Sequence, residues 1–273
     1  MPFTSELSGQ FIVLNGRRLF CLAGVGHTEE ATLLLPPFAE EANKTRHLQS
    51  ALLRQLKQLG HSVLLIDHFG TGDSEGDLDT TTTALWREDL LQLIAQLQQQ
   101  GVKRLNVIAV RFGALQLFDL MAHSPLAFNR VVLWQPLFDA GKCWQQFARI
   151  KLAEAMAAGQ KVTQVQLEQQ LTAGEVVEIA GYPINYAFWQ SLISMPTELP
   201  PQLKNCQLCW LETSALAQTA LPVEKKLAQL RELTSVHYQQ INAEPYWQTT
   251  ELANADTLLA ATVAFLSDEP SEA

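Results

Sequence analysis

Arg104-Leu105-Asn106-Val107-Ile108-Ala109-Val110-Arg111-Phe112-Gly113-Ala114-Leu115-Gln116-Leu117-Phe118 is the stretch whose reading decides the fold. Its first seven residues form an apolar run of strand length, Arg111 and Phe112 turn the chain, and Gly113 opens a helical pattern. A strand, a sharp turn and a helix in immediate succession is the arrangement of the G-x-S-x-G nucleophile elbow. There a serine at the tip of a strained turn points into a pocket, and the following backbone N–H serves an oxyanion. Here the five positions are Ala109, Val110, Arg111, Phe112 and Gly113. An always-charged guanidinium cannot attack an acyl carbon, so that mechanism fails at its first atom.

Working outward, the neighbouring segments repeat the same alternation. Gln10 to Leu14, Asn15-Gly16 and Arg17 to Leu22 read as a hairpin, since Asn-Gly suits a tight turn with positive φ at both central residues. Ala31 to Phe38 is an apolar run, a helix is predicted from about Glu41 to Leu59, and Ser62 to Ile66 is a second buried strand. Leu85 to Gln99 reads as a helix and Arg130 to Trp134 as another strand. Strands this apolar, separated by helices, indicate a mostly parallel central sheet with helices on both faces. From Gly141 to Pro201 the rhythm changes to helical patterns over Trp144–Ala157, Thr163–Leu171 and Asn185–Ile193, broken by Gly and Pro, with no strong strand. This stretch is read as a helical lid. The α/β rhythm resumes with Cys206 to Leu211, Val223 to Leu233, Val236 to Ile241 and a helix from about Asn254 to Phe265. The expected organisation is therefore a core over 1–140 and 202–266, a lid over 141–201 and a disordered tail over 267–273.

Composition excludes several classes of partner. The 273 residues are 47% hydrophobic and 17% charged, enough to bury one large α/β core. A net charge of −9 and a pI near 5.2, with no basic stripe, argue against nucleic acid or anionic lipid. MPFTSELSGQ lacks a cationic start with an apolar core, and no run reaches the roughly 18 apolar residues of a membrane span, so a cytoplasmic protein is expected. Cys21, Cys143, Cys206 and Cys209 are too few and scattered for a disulfide framework. Cys206 and Cys209 make a C-x-x-C, but within a strand they face opposite sides, so buried packing thiols are expected and no metal. Gly70-Thr71-Gly72 lacks the spacing of a dinucleotide fingerprint, and no cofactor is expected.

The element order, the lid position, the loop Asp67-His68-Phe69-Gly70-Thr71-Gly72-Asp73-Ser74 and the elbow resemble the α/β-hydrolase fold over essentially the whole chain. More narrowly, Pro36-Pro37-Phe38-Ala39-Glu40-Glu41-Ala42-Asn43-Lys44-Thr45-Arg46, Val110-Arg111-Phe112-Gly113-Ala114 and Glu244-Pro245-Tyr246-Trp247 resemble the exosortase A system-associated hydrolase, type 2 family. That resemblance implies a bacterial protein linked to exopolysaccharide and protein-sorting gene clusters, called a hydrolase by fold.

A triad needs a nucleophile, a histidine and an orienting acid. Arg111 holds the first position, Glu212 is a weak match for the acid, and the loop after the last strand, Asn242 to Trp247, contains no histidine. His27, His47, His61, His68, His123 and His237 read as surface or packing residues, His68 least securely because its loop flanks the expected pocket. Ser74 and Ser214 suit turns better than nucleophilic attack. Three readings stay open. In the first, Asn43, Lys44 and Arg111 hold an anionic or acyl-type small molecule beneath Phe38, Phe112, Phe188, Trp189 and Trp247, without serine-type turnover. In the second, Glu40 or Glu41 acts as general base in a divergent hydrolase or acyltransferase, with Arg111 stabilising the oxyanion. In the third, the chain is a structural accessory protein. Under each, a buried Arg111 requires a carboxylate or ligand, with Glu40, Glu41, Glu212 and Glu244 as candidates.

Overall fold

A computed structural model describes residues 4–26, 29–249 and 251–267. β1 (Ser8–Leu14) and β2 (Arg17–Gly24) form the expected antiparallel hairpin, with φ of 48° at Asn15 and 80° at Gly16. Then come β3 (Glu30–Leu35), α1 (Glu40–Gln58), β4 (Ser62–Ile66), α2 (Thr83–Gln99), β5 (Arg104–Val110), α3 (Gly113–Ala122) and β6 (Arg130–Trp134). β3 stops at Leu35, because Pro36 and Pro37 have no N–H to continue the ladder. α2 begins at Thr83, two residues ahead of the apolar periodicity, because the Thr82 side chain accepts the Leu85 N–H as its cap.

The segment between β6 and the next sheet strand contains α4 (Ala140–Ala157), α5 (Gln164–Thr172), β7 (Val177–Ile179), β8 (Tyr182–Ile184) and α6 (Tyr186–Ile193). The β7–β8 hairpin adds two short strands to a stretch read as helical with no strong buried strand. Three-residue strands are too short to register as periodicity, and the turn is made by Ala180 and Gly181 at φ 51° and 82°. The chain closes with β9 (Gln207–Thr213), α7 (Leu221–Leu233), β10 (Val236–Ile241) and α8 (Asp256–Ser267). Ser267, expected in the disordered tail, ends α8, and the remainder of that tail lies outside the described residues, as does His27.

The eight-stranded sheet has the order β1-β2-β4-β3-β5-β6-β9-β10, parallel from β4 to β10. β5 is flanked by β3 and β6, and its residues from Leu105 to Val110 are all buried. Alternate residues feed two cores. Val107 and Ala109 pack on one face with α2, α3 and α7, while Ile108 and Val110 pack on the other with α1 and α8. A third apolar cluster joins the α4–α6 segment to Phe38, Trp86, Phe112 and Leu115. The loops at the carboxyl ends of β3, β5, β6, β9 and β10 are thereby gathered together, which is where open α/β sheets bind ligands.

Cys21, Cys143, Cys206 and Cys209 are free and buried, and Cys206 and Cys209 enter opposite cores. Among the described residues no helix is long and apolar enough to cross a membrane, and no group of three or more His, Cys, Asp or Glu side chains is placed to hold a metal.

Candidate functional site

The turn between β5 and α3 is a strained elbow with Arg111 at its tip, at φ 54°. It is held by its neighbours: the Arg111 N–H donates to the Trp134 carbonyl (2.9 Å), and the Arg111 carbonyl accepts from Leu137 N–H and Ala114 N–H (both 3.1 Å). Gly113 is required by contact, since a Cβ there would lie 2.3 Å from the Leu35 carbonyl oxygen. Ala39 (φ 52°) and Gln135 (φ 44°) share this left-handed region, at the ends of β3 and β6. Three such residues after adjacent strands, each costing about 1–3 kcal/mol, frame the candidate site.

Within that frame the guanidinium is already occupied. Arg111 Nε donates to Glu41 Oε2 (3.1 Å) and Nη2 to Glu41 Oε1 (2.9 Å), a two-point fork. Nη2 also reaches Gln146 Oε1 and Nη1 the Gln135 carbonyl, both at 3.3 Å, which leaves a single Nη1 hydrogen. Trp247 covers the cation, its ring centroid 4.5 Å from the guanidinium carbon. Glu41 reaches this point because it lies in the first turn of α1, directly after β3. Of the proposed carboxylate partners the structure selects Glu41. Glu40 is one residue too early on the helix, Glu212 binds Trp210 and Gln135, and Glu244 is exposed.

Two cavities flank the elbow, separated by a wall of Phe38 and Phe112, whose ring centroids lie 5.5 Å apart. On the Glu41 side is a space of about 70 Å³ lined by Glu40, Glu41, Leu137, Cys143, Gln146, Phe147 and Ile150. Cys143 is the thiol nearest the elbow network, but burial pushes its pKa up to about 12, so it is no ready nucleophile. On the other side is a cleft of about 270 Å³ between the Pro36–Ala39 loop, the Asp67–Asp73 loop, Trp86, Gln116 and Tyr182.

Glu212, at the end of β9, and the loop after β10 complete the surroundings of the elbow. Glu212 Oε1 accepts from Gln135 Nε2 and Oε2 from Trp210 Nε1, both at 2.6 Å. Burial nonetheless pushes its pKa up to about 7, against the opposing pull of those donors and of Arg111. The folded state therefore binds this proton more tightly than the unfolded chain, and stability falls as pH rises from the ordinary Glu value of about 4.3 toward 7. Glu212→Gln is expected to flatten that component: the gap in Tm between variant and wild type should widen in the variant's favour from pH 5 to pH 8. A constant gap would contradict the raised pKa. The loop after β10 carries Tyr246 and Trp247. Both are buried, the Tyr246 hydroxyl and Trp247 Nε1 have no hydrogen-bond partner, and Tyr246 packs edge-on against Trp134.

The structure thus brings together Arg111, Glu41, Phe38, Phe112 and Trp247, with Glu40 at the edge of the small cavity. Asn43 faces the larger cleft and donates to the Tyr182 hydroxyl (3.0 Å). Lys44 lines neither cavity. Phe188 lies in the apolar cluster beneath the α4–α6 segment, 5.7 Å from Phe38, and Trp189 packs on Trp144 and Tyr186, away from the elbow. Ser74 serves a turn, donating to Asp67 O and accepting from Phe20 N–H, and the Ser214 hydroxyl accepts from Leu216 N–H. Sequence reasoning missed Gln146, whose side chain accepts from Arg111, and Gln135, whose backbone carbonyl does so and whose side chain binds Glu212, because neither a lone glutamine nor a loop carbonyl carries a spacing signal. It also missed the depth of His68, which is fully enclosed, stacked on Trp86 at 4.8 Å, and has its pKa lowered by burial to about 4.

Comparison with known proteins agrees with this fold. The serine aminopeptidase S33 family matches residues 27–179, more than half of the chain. A bovine (Bos taurus) protein named palmitoyl-protein thioesterase ABHD10, mitochondrial, is 33% identical over 67 residues, and the match spans only 24% of this chain and 21% of that protein. Among solved structures, Est1E from Butyrivibrio proteoclasticus with ferulic acid bound aligns with a TM-score of 0.64 at 14% identity, covering 94% of this chain and 97% of that one. The enol-lactonase from Burkholderia xenovorans LB400 aligns with a TM-score of 0.60 at 16% identity, over 95% and 100%. Likenesses at such identity speak for the fold alone. The chain belongs to the serine aminopeptidase S33 family and has the α/β-hydrolase fold.

Proposed function

We propose that this chain binds a small, acyl-type molecule without serine-type covalent turnover, as an accessory protein of an exosortase and exopolysaccharide system. The observation that carries the reading is the fork of Arg111 on Glu41 at the elbow tip, with Trp247 covering it where a histidine would act. A guanidinium so engaged is a structural cation, and an anionic ligand would have to displace a carboxylate from it. That argument moves the reading away from an anionic ligand. The segment over residues 141–201, which holds α5, α6 and all of α4 after Ala140, is proposed as the cap over this region, and the resemblance of the Pro36–Arg46 and Glu244–Trp247 stretches supports the exosortase setting.

The purified chain is expected to resist labelling by a fluorophosphonate probe and to leave p-nitrophenyl esters and a palmitoyl thioester intact. Covalent labelling of any serine would overturn the reading. The divergent-hydrolase alternative draws on Glu40 and Glu41 lining the small cavity. It predicts ester or thioester turnover that disappears in Glu40→Gln, so turnover with that loss would establish it instead.

A further inference from the structure

The cleft of about 270 Å³ lies on the opposite side of the Phe38–Phe112 wall from Arg111, and its chemistry differs from that of the elbow. Its apolar surface is aromatic: Phe38, Trp86 and Phe112 lie within 6.3 Å of one another, centroid to centroid, and the His68 ring stacks on Trp86. Flat rings on several sides favour a flat guest. The ionised groups of the lining are one cation, Arg46, and two carboxylates, Asp67 and Asp73, with His68 neutral near pH 7. Arg46 is itself bidentate on Asp67, so no unpaired positive charge faces the space. A carboxylate guest would meet a net negative lining, whereas a neutral one would not.

Two lining residues supply a polar pair. Gln116 Nε2 lies 2.6 Å from His68 Nε2, while His68 Nδ1 and Gln116 Oε1 have no partner; His68 and Gln116 are 3% and 4% exposed. If His68 carries its proton on Nδ1, the orphans are one donor and one acceptor. If the amide is turned over and the proton sits on Nε2, the orphans are again one acceptor and one donor. The pair is therefore complementary to a group that both donates and accepts, whichever tautomer is present. At the mouth, the Asn43–Tyr182 hydrogen bond ties α1 to β8 across the entrance.

We infer that this cleft is the small-molecule site of the chain and that it takes a neutral planar ring bearing a group that both donates and accepts hydrogen bonds, an aromatic carboxamide in preference to the matching carboxylate. The inference rests on the binding reading above and shifts its site from Arg111 to the far side of the phenylalanine wall.

Cinnamamide and cinnamate share one shape and differ in charge, so they serve as probes in a titration of the full chain followed by ¹H–¹⁵N NMR at pH 7. Cinnamamide is expected to bind at least about tenfold more tightly than cinnamate and to shift the Trp86 indole N–H resonance. Gln116→Leu, which removes the orphan amide group at similar volume, should weaken cinnamamide by about tenfold or more, while Gln146→Ala beyond the wall should leave it unchanged. Should Gln116→Leu fail to fold, Asn43→Leu at the exposed mouth replaces it, with the same direction expected. Equal or tighter binding of cinnamate, no binding of either compound at millimolar concentration, or loss of binding in Gln146→Ala overturns the inference. None of these outcomes labels a serine or hydrolyses an ester, so the proposed function is tested separately by those two assays.

Discussion

Arg111→Met is expected to lower the free energy of unfolding by about 3 kcal/mol, the low end of the range for breaking a buried ion pair. The Arg111 side chain is 7% exposed and that of Glu41 26% exposed, so the abandoned carboxylate recovers only part of its hydration. Gln146 Oε1 and the Gln135 carbonyl lose a donor at the same time, and the Trp247 ring loses the cation over its face. The double variant Arg111→Met/Glu41→Gln removes both charges and is expected to recover a large part of the loss, because the remaining amide can be satisfied as a neutral group. Urea denaturation of the four proteins measures this coupling. If the two single losses simply add, the fork contributes nothing and Arg111 is free for a ligand. Arg111→Ser is expected to lose similar stability and to gain no esterase activity, since the loop after β10 places Tyr246 and Trp247, not a base, beside the new hydroxyl.

Gly113→Ala is expected to cost about 3 kcal/mol or more, at the upper end for overpacking. The added Cβ would stand 2.3 Å from the Leu35 carbonyl oxygen and 2.9 Å from its carbon. That oxygen belongs to β3, which is locked by ladders to β4 and β5, so relief requires α3 to move off the sheet. The displacement would pull the elbow with it, and the Arg111–Glu41 fork should loosen as a consequence. A fall in Cm without a change in m would fit this account. A variant as stable as wild type would mean that α3 is not pressed against β3 as described.

Much of the fold was legible because its signals are local. Asn15-Gly16 and the apolar runs of β4, β5 and β6 each declare an element within a few residues. The β7–β8 hairpin escaped because two strands of three residues carry no measurable period. The site was legible by type but not by pairing. Arg111 stood at the tip of the expected elbow, and the need for a carboxylate partner followed from burial, yet Glu40, Glu41, Glu212 and Glu244 were equivalent on paper. One helical residue separates Glu40 from Glu41, about 100° of rotation, and only the angle at which α1 leaves β3 selects between them.

By itself, then, the amino-acid order determined the α/β alternation, the position of the elbow and the presence of Arg111 at its tip, because strand length, turn residues and side-chain identity are properties of neighbours along the chain. The tertiary structure alone decided that the guanidinium is spent on Glu41, that Phe38 and Phe112 divide the region in two, and that His68 is buried and neutral in the wall of the larger cleft. Those outcomes depend on distances between segments far apart in sequence, set by how the helices pack on the sheet.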